Sequence, residues 1–493
     1  MVELIPNWLQ QRAFLTPQRI GLVFNEQTWT FHDMLEIVND YSSRLHSIIT
    51  STDTKVAVLM KNHPDTVWVL HALQQLGIEI VFLNNRLTVA ELHYQVKDSK
   101  ATILLYDCDF RQTAEELHRF TNIPFYTSED ILGMKSTTFQ IRENFILHDV
   151  CSIMYTSGTT GKPKGVIQTY GNHWWSAIGS SLNLGLHSND AWLCSLPLYH
   201  ISGFSILMRS VIYGIPVYLM EKFNPVIANN MLISGNITIM SSVSNMLSRM
   251  LNELGDNVYH ENFRCMLLGG GPAPYPILQK CKEKGIPVFQ TYGMTESCSQ
   301  IVTLAPEDSM EKLGSAGKPL FPAQIKIMNN GEIAAPFEAG EIMLKGPNVT
   351  QGYFNLPDVN EKAFQHGWFS SGDVGYIDDE GFLYVLDRRS DLIISGGENI
   401  YPAEIEATLM EYDGVLEAGV TGIEDSEWGQ VPYAFIVADK QVTSSELIQF
   451  CQERLASYKV PKKIIQVEEL PRNGANKLQR RKLPQLLVDG DIS

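Results

Sequence analysis

The first part of the chain alternates strand-like and helix-like segments, and this rhythm constrains the fold more than any other feature. The runs 56–60 and 78–83 are short and rich in β-branched or aliphatic residues. Between them lies Pro64–Leu76, with proline where a helix would begin and Gly77 just past its end. Strands that alternate with helices predict a parallel sheet with crossover helices, and so an α/β fold.

Further short apolar runs extend the pattern along the chain. They lie at 102–106, 192–196, 217–219, 238–240, 265–268 and 288–291. From about Ile325 the sequence pattern changes to short alternating strands with glycine turns, such as 341–345 and 382–386. This pattern predicts a smaller β subdomain.

A second unit is predicted after the charged stretch Asp387-Arg388-Arg389-Ser390-Asp391. Composition leaves two interpretations of this stretch open, a hinge or a solvated turn. Beyond it, Thr443 to Glu446 form a capping box before a helix whose apolar residues Leu447, Ile448, Cys451 and Leu455 fall on one face.

Length and charge limit the classes of function. A chain of 493 residues is too long for one compact core and predicts at least two domains. A formal net charge of -17 argues against nucleic acid or an anionic membrane as partner, because both would be repelled at long range. A polyanionic substrate would need lysines, arginines and a divalent cation to reverse the field locally.

The sequence indicates no disulfide framework, zinc site, signal peptide or membrane span. The seven cysteines are scattered, with no Cys-x-x-Cys pair, so neither a disulfide framework nor a zinc site is indicated. The N-terminal residues lack the pattern of a signal peptide. The longest apolar region, 206–220, is interrupted by Arg209 and Pro216 and is too short to span a bilayer. No membrane insertion is therefore expected, and the cytoplasm is the default location.

The stretch from Tyr155 to Gly165 is the clearest candidate site. It contains hydroxyls, three glycines and two lysines, with no aliphatic side chain, and follows an apolar run typical of a buried strand. Glycines let successive backbone N–H groups point into one concavity, and the lysines add charge for a phosphate. It is not an ordinary P-loop, because Pro163 follows Lys162 where Ser or Thr is required. The alternative is a surface loop of small polar residues.

Polar residues follow other predicted strands. Tyr292, Gly293, Thr295 and Glu296 lie close together after one of them, where the tyrosine could stack on a base and the carboxylate could hold Mg²⁺. Singly, Tyr292 is also typical of a core and Glu296 of a solvated surface. Gly269-Gly270-Gly271 do not complete a dinucleotide fingerprint, because the third glycine of that pattern falls on Pro274.

Three more candidates have an ordinary alternative each. Asp373, in a predicted turn Ser371-Gly372-Asp373, could accept ribose hydroxyls or simply belong to a turn. His200 follows a predicted strand and suits either a substrate pocket or a core. Lys477 lies in a turn-rich segment that is either a surface loop or a carrier of a deliverable charge.

Together and in this order, these motifs resemble the adenylate-forming superfamily of acyl- and aryl-CoA ligases, luciferases and peptide-synthetase adenylation domains. The resemblance covers the whole chain. Within the superfamily, the stretches 268–274, 293–300 and 387–401 look most like the o-succinylbenzoate–CoA ligases of bacterial menaquinone synthesis.

The resemblance implies an α/β fold with a large N-terminal domain at 1–387, built of α/β sheet subdomains plus a β subdomain. A small mobile α+β C-terminal domain at 388–493 would carry the catalytic lysine. This domain would swing about Ser390 between two half-reactions, adenylation of an acid by ATP and transfer of the acyl group to CoA. Relatives are often dimers, so a homodimer is an expectation.

The resemblance also implies a role for each site residue. ATP phosphates would be bound by Thr156, Ser157, Gly158, Thr159, Thr160, Gly161, Lys162 and Lys164. Thr295 would bind the α-phosphate and Glu296 the Mg²⁺, while Tyr292, Gly293, Gly270 and Gly271 would surround adenine. Asp373 and Arg388 would hold ribose, Lys477 would bridge the carboxylate and the α-phosphate, His200 would face the acyl pocket, and Gly396 and Gly397 would line the CoA tunnel.

The acid and the reaction class leave alternatives. Other candidates of the same fold are another aryl- or fatty acyl-CoA ligase and a carrier-protein-loading adenylation enzyme. A different class is a nucleotide-binding protein without catalysis. Arg209 could meet a second carboxylate of a dicarboxylic acid, or reach the surface from a half-buried helix.

Overall fold

The computed structural model describes most of the chain. The described residues are 3–49, 54–156, 162–270, 275–312, 314–387, 391, 393–400, 402–438, 442–471, 478 and 480–487. They form two compact units. The larger consists of Met1–Asn85, Val96–Met154 and Gly165–Leu386, and the smaller of Arg86–Gln95, Tyr155–Lys164 and Asp387–Ser493. The domain boundary after residue 387 stays a prediction.

A first sheet is built from the strand–helix alternation near the N-terminus. Its strands run in the spatial order Lys164–Thr169, Val150–Thr156, Glu79–Phe82, Lys55–Leu59, Ile103–Tyr106 and Phe125–Thr127. The pairs that Lys55–Leu59 makes with both neighbours are parallel. The crossover helix Pro64–Leu76 ends at Gly77, whose φ of 73° gives the left-handed cap that glycine favours. The predicted parallel sheet is thus confirmed here.

A second, larger sheet has a parallel part and an antiparallel part. The spatial order of its strands is Glu332–Ile333, Gln324–Asn329, Gly340–Lys345, Trp368–Ile377, Leu383–Asp387, Ser315–Pro319, Ser299–Leu304, Val288–Met294, Cys265–Gly269, Ile239–Val243, Trp192–Cys194, Val217–Leu219, Ile20–Phe24 and Gln27–Thr30, with Phe364–Gln365 paired beside Trp368–Ile377. The strands from Val288–Met294 to Ile20–Phe24 are parallel. The strands from Ser299–Leu304 onward pair antiparallel, so the antiparallel part begins before Ile325, where the sequence predicted the start of a β subdomain.

The larger unit also contains helices, most of which pack on the parallel strands, whereas Pro357–Ala363 packs on the antiparallel strand Trp368–Ile377. The helices are Trp8–Leu15, Phe31–Leu45, Pro64–Leu76, Arg111–Thr121, Ser128–Gly133, Tyr170–Leu184, Ile201–Tyr213, Pro225–Ile233, Ser244–Leu254, Tyr275–Glu283 and Pro357–Ala363, and Val89–Ser99 runs from the smaller unit into the larger. A core cluster that includes Phe31, Trp192 and Phe204 packs between them. A short pair of strands, Leu4–Pro6 and Asn144–Ile146, lies apart from both sheets.

The smaller unit has its own sheet and core. Its strands run in the order Glu398–Ile400, Ile393–Ser395, Gly429–Ala438 and Val415–Asp425, with Lys463–Gln466 parallel to Gly429–Ala438. The helices Pro402–Met410 and Ser444–Gln452 pack on it. The capping box between Thr443 and Glu446 is present, as predicted. Leu447 and Cys451 are buried.

Two expectations about local structure are corrected. Ser371-Gly372-Asp373 is not a turn between strands but lies inside the strand Trp368–Ile377, at a shift in register where Gly372 has a φ of 72°. Arg209 does not reach the surface, since only 1% of it is exposed. Among the described residues, no helix contains an apolar stretch long enough to cross a membrane.

Candidate active site

The carboxyl ends of two neighbouring parallel strands bring several predicted site residues to one edge of the larger sheet. Gly270, with a φ of 82°, follows the strand Cys265–Gly269 directly. Tyr292 and Gly293 lie within the next strand, Val288–Met294, and a 3₁₀ turn, Thr295–Ser297, follows it. This edge is where ligands bind in sheets of this kind.

Gly293 allows a close approach of two strands. The register between Val288–Met294 and Ser299–Leu304 shifts between Tyr292 and Gly293. A Cβ at Gly293 would collide with the backbone carbonyl oxygen of Ser299. Only glycine therefore fits at this point, and the bulge sets the position of the turn that follows.

The turn that holds Thr295 and Glu296 is fixed by hydrogen bonds from two directions. The Gln168 side chain donates its Nε2 to the Thr295 carbonyl oxygen at 2.9 Å. The Tyr353 hydroxyl donates to Oε1 of Glu296 at 2.9 Å. Both side chains of the turn are half-buried. The Thr295 hydroxyl and the Glu296 carboxylate thus lie on a supported turn at the sheet edge.

Asp373 is paired with one of the other predicted site residues. The Tyr292 hydroxyl donates to Oδ2 of Asp373 at 2.7 Å, and the backbone N–H of Asp373 donates to the Ser371 hydroxyl. Only 7% of Asp373 is exposed. The structure therefore brings together Tyr292, Gly293, Thr295, Glu296 and Asp373, which the sequence placed in two separate motifs.

His200 begins a helix beside this turn. It is the N-terminal cap position of Ile201–Tyr213, is half-buried, and its ring centroid lies 4.7 Å from that of Tyr199. One turn into the helix, the Ser205 hydroxyl donates to the Ser299 hydroxyl at 3.4 Å. The helix therefore packs against the strand that leaves the turn of Thr295.

A buried polar network behind the turn was not found from the sequence. Gln168 is fully buried and its Oε1 accepts a hydrogen bond from the Ser152 hydroxyl. Ser152 lies 3.4 Å from Nε2 of His173, whose Nδ1 is 3.1 Å from the Cys298 sulfur. Burial lowers the pKa of His173 to about 3, and the positive charge of Arg209 adds to this. A glutamine within the apolar strand 165–169 was the signal available in the sequence.

The smaller unit holds the remaining described residues. Thr156 ends the strand Val150–Thr156, Lys162 is exposed, and Lys164 begins the strand Lys164–Thr169. The Tyr94 hydroxyl donates to the Pro163 carbonyl oxygen at 3.3 Å. The predicted residues Ser157, Gly158, Thr159, Thr160, Gly161, Gly271, Arg388 and Lys477 lie outside the described residues, as does Ser390.

Gly396 and Gly397 form the turn between Ile393–Ser395 and Glu398–Ile400. Their φ angles are 56° and 88°, in the left-handed region that favours glycine. A Cβ at Gly396 would collide with the side-chain ring of Trp428. The backbone N–H of Gly396 donates to the backbone carbonyl oxygen of Trp428. Close packing and backbone conformation both require glycine at Gly396.

Comparison with known proteins decides the family. Residues 9–354 match the model of the AMP-binding enzyme family, and residues 404–477 match the AMP-binding enzyme C-terminal domain. The chain belongs to the AMP-binding enzyme family. The two matches cover the sheet edge with Tyr292 to Glu296 and three strands of the smaller unit's sheet, Val415–Asp425, Gly429–Ala438 and Lys463–Gln466.

Individual relatives of this AMP-binding enzyme are similar over nearly their whole length. A 2-succinylbenzoate–CoA ligase of Geobacillus sp. (strain WCH70) is 53% identical over 489 residues, covering 99% of this chain and 98% of the relative. Among solved structures, a double mutant of o-succinylbenzoate CoA synthetase from Bacillus subtilis, bound with its product analogue, has a TM-score of 0.94 at 48% identity, covering 98% of this chain and 99% of that one. The Bacillus subtilis enzyme in complex with ATP and magnesium ion has a TM-score of 0.77 at 48% identity, with 98% and 100% covered.

Proposed function

We propose that this chain is an ATP-dependent acid–CoA ligase that converts 2-succinylbenzoate to its CoA thioester in menaquinone (vitamin K2) biosynthesis. The observation that carries the proposal is the similarity to ligases of that name, 53% identical over 99% of this chain. The similar Bacillus subtilis structures hold ATP with magnesium ion in one case and a product analogue in another.

The reaction has two half-reactions. An oxygen of the substrate carboxylate attacks the α-phosphorus of ATP, the bond to pyrophosphate breaks, and the acyl-adenylate remains. The CoA thiol then loses its proton, its sulfur attacks the acyl carbon, and AMP leaves. Two anions meet in the first step, so the barrier is largely electrostatic and falls to preorganised cations and donors.

The sheet edge of the larger unit suits the nucleotide. Thr295 would donate its hydroxyl to the α-phosphate, and Tyr292, Gly293 and Gly270 would surround adenine together with Gly271. Asp373 would accept the ribose hydroxyls. The Tyr292 hydroxyl already holds Oδ2 of Asp373. A carboxylate oriented in this way loses less freedom when it binds the sugar.

Glu296 would hold Mg²⁺. Its half-buried carboxylate accepts a hydrogen bond from a neutral phenol, and it lies beside the Thr295 hydroxyl proposed for the α-phosphate. Mg²⁺ prefers one or two carboxylates together with phosphate oxygens, so this donor set fits it. When bound, the ion would neutralise charge on the phosphates.

The loop and the smaller unit would supply the remaining charges. Thr156, Lys162 and Lys164, with residues 157–161, would bind the β- and γ-phosphates, and Arg388 would assist at the ribose. Lys477 would bridge the carboxylate and the α-phosphate during adenylation, and the Gly396-Gly397 turn would line the CoA tunnel.

Lys477→Ala tests the role of this lysine. The substitution should abolish adenylation yet largely spare thioester formation from supplied acyl-adenylate. Equal loss of both steps would refute the role of Lys477.

Arg209 would recognise the second carboxylate of the acid. It is fully buried, its guanidinium carbon lies 5.4 Å from the Trp192 ring centroid, and its Nη2 is 3.5 Å from the Ser176 hydroxyl. Its electrostatic partner is the neutral Tyr213 hydroxyl, and among the described residues no Asp or Glu forms an ion pair with it and no acceptor reaches its Nε. Burial lowers the pKa of Arg209. A buried cation without an anion is costly, and an anionic substrate group would offset that cost.

Exchange of radiolabelled pyrophosphate into ATP tests the adenylation step. It is measured with 2-succinylbenzoate, benzoate, a coumarate and a medium-chain fatty acid offered separately. We expect exchange with 2-succinylbenzoate at the highest kcat/KM. Exchange that depends on a fatty acid or a coumarate instead would favour another acyl- or aryl-CoA ligase, and no exchange with any acid would leave only nucleotide binding.

A homodimer stays a prediction of the family resemblance, and a cytoplasmic location stays a prediction of the sequence pattern. Sedimentation equilibrium of the purified chain measures the first, with a mass of twice 55.5 kDa expected. Fractionation of the source cells measures the second.

A further inference from the structure

Residues 346–354, which we call the bridging segment, contact two parts of the proposed nucleotide site at once. On one side the segment binds the strand that follows the phosphate loop. The N–H of Ile167 donates to the Gly352 carbonyl oxygen at 3.0 Å, and the N–H of Phe354 donates to the Gly165 carbonyl oxygen at 2.7 Å. The segment therefore extends the backbone pairing of this strand.

On its other side the bridging segment binds the turn that carries Thr295 and Glu296. The N–H of Thr350 donates to the Glu296 carbonyl oxygen at 2.7 Å. The Asn348 side chain donates its Nδ2 to the Ser297 carbonyl oxygen at 3.1 Å. The backbone of the turn is thus held by residues that are distant in sequence and not part of any motif that pointed to the nucleotide.

Tyr353 is the residue of the bridging segment that reaches a functional side chain. Its hydroxyl donates to Oε1 of Glu296 at 2.9 Å, and only 8% of the residue is exposed. Its ring packs in the core cluster with Phe369. Its backbone N–H and carbonyl oxygen both bond to the Asn360 side chain, at 2.7 and 2.9 Å. Ring and backbone are therefore fixed by contacts that do not involve the hydroxyl.

We propose that Tyr353 is a positioning residue for the metal site: its hydroxyl fixes the orientation of the Glu296 carboxylate that would bind Mg²⁺. This inference rests on the proposed function of Glu296. A glutamate side chain rotates about three bonds, whereas Mg²⁺ demands near-ideal octahedral geometry. A donor that occupies one carboxylate oxygen in a fixed direction limits that rotation, as outer-shell groups do for metal ligands in general.

The test compares ATP affinity with and without the metal. The dissociation constant of ATP is measured by calorimetry on the full chain, once with excess Mg²⁺ and once with EDTA, and the ratio of the two constants is the metal coupling. Tyr353→Phe removes only the hydroxyl. We expect it to lower the metal coupling by about tenfold, the order found for outer-shell groups. The metal-free dissociation constant should change by less than about twofold, because the ring and backbone contacts remain.

Tyr41→Phe is the matched control. Tyr41 is 3% exposed, and its hydroxyl also donates to a carboxylate, Oδ1 of Asp65, at 3.2 Å, outside the proposed site. Its metal coupling should equal that of the unchanged chain. If Tyr353→Phe weakens ATP binding equally with Mg²⁺ and with EDTA, or leaves the coupling as it is in the control, Tyr353 has no role in positioning the metal ligand.

Glu296→Gln separates this inference from the proposed function. We expect Glu296→Gln to lower the metal coupling at least as much as Tyr353→Phe. If Glu296→Gln leaves the coupling unchanged, Glu296 is not the metal ligand, and the role of Tyr353 fails with it. If Glu296→Gln lowers the coupling and Tyr353→Phe does not, only the inference about Tyr353 fails.

Discussion

Two arginines of the larger unit, the fully buried Arg209 and the half-buried Arg264, have different surroundings. Arg264 donates its Nε and Nη2 to the two carboxylate oxygens of Asp190, at 2.7 and 2.5 Å, and further N–H groups reach the carbonyl oxygens of Leu184 and Gly185. Arg209 instead has the face of Trp192, the Ser176 hydroxyl at 3.5 Å and the neutral Tyr213 hydroxyl. Asp190 neutralises Arg264, whereas no Asp or Glu in the described part of the chain forms an ion pair with Arg209.

The difference indicates what each arginine is for. Burial raises the pKa of Asp190, but the hydrogen bonds from Arg264, the His187 N–H and Thr238 outweigh it and leave the pKa below its usual value. That pair joins the strand 265–269 to the loop before Trp192, so it stabilises the fold. Arg209 contributes a desolvated charge to which no described residue supplies a fixed anion, and this suits recognition of an anionic substrate better than stability.

Removing Arg264 should have the largest effect, and on stability alone. Arg264→Met leaves the Asp190 carboxylate buried without its cation, which costs about 3 to 4 kcal/mol of unfolding free energy. Urea unfolding monitored by circular dichroism measures this. The kcat/KM of the folded fraction should remain near that of the unchanged chain. A large loss of kcat/KM at unchanged stability would place Arg264 in the active site and would contradict the difference in role between Arg264 and Arg209.

Removing Arg209 should have the opposite signature. Arg209→Met should lower kcat/KM for 2-succinylbenzoate by about 100-fold, or about 2.7 kcal/mol, because the second carboxylate loses a desolvated partner. The unfolding free energy should stay the same or rise. Pyrophosphate exchange with benzoate, which lacks the second carboxylate, is the control and should not fall. An equal loss of activity with 2-succinylbenzoate and with benzoate would show that Arg209 does not bind the second carboxylate.

The pH dependence of stability tests whether His173, which is buried and feels the charge of Arg209, stays neutral in the fold. His173 titrates near 6.5 when unfolded, and its pKa in the fold is about 3. The unfolded state therefore binds the proton first, and stability falls as the pH drops from about 6.5 towards 3. Between pH 7 and pH 5, His173 should account for about 2 kcal/mol of this loss.

His173→Gln should remove that part of the acid sensitivity. Urea unfolding of both chains at pH 7 and pH 5 gives the comparison. If the two chains lose the same free energy, burial does not hold His173 neutral.

The strand and helix pattern of the fold could be predicted from the sequence where local signals were strong. The strand at 217–219 and the helix Pro64–Leu76 have the predicted bounds, because β-branched residues, proline and glycine marked them. The strand Trp368–Ile377 was broken at Ser371-Gly372-Asp373 in the prediction. Glycine indicates a turn or a bulge equally well, and only the neighbouring strand decides between them.

The residues proposed to bind the nucleotide could be predicted from their motifs, but the residue that hydrogen-bonds Glu296 could not. Tyr292, Thr295, Glu296 and Asp373 stood in short motifs with chemistry of their own, and the structure brings them to one sheet edge. Tyr353 carried no such signal. Its hydroxyl meets Glu296 across 57 positions of sequence, and such a contact follows from sheet topology and not from local pattern.

A competition assay tests the central claim most directly. The enzyme is mixed with ATP, Mg²⁺, CoA and equal concentrations of 2-succinylbenzoate, benzoate, a coumarate and a medium-chain fatty acid, and the thioesters are identified by mass spectrometry at early times. The thioester of 2-succinylbenzoate should dominate, formed together with AMP and pyrophosphate in equal amounts. A different dominant thioester, or release of ADP and phosphate in place of AMP and pyrophosphate, would contradict the proposed function.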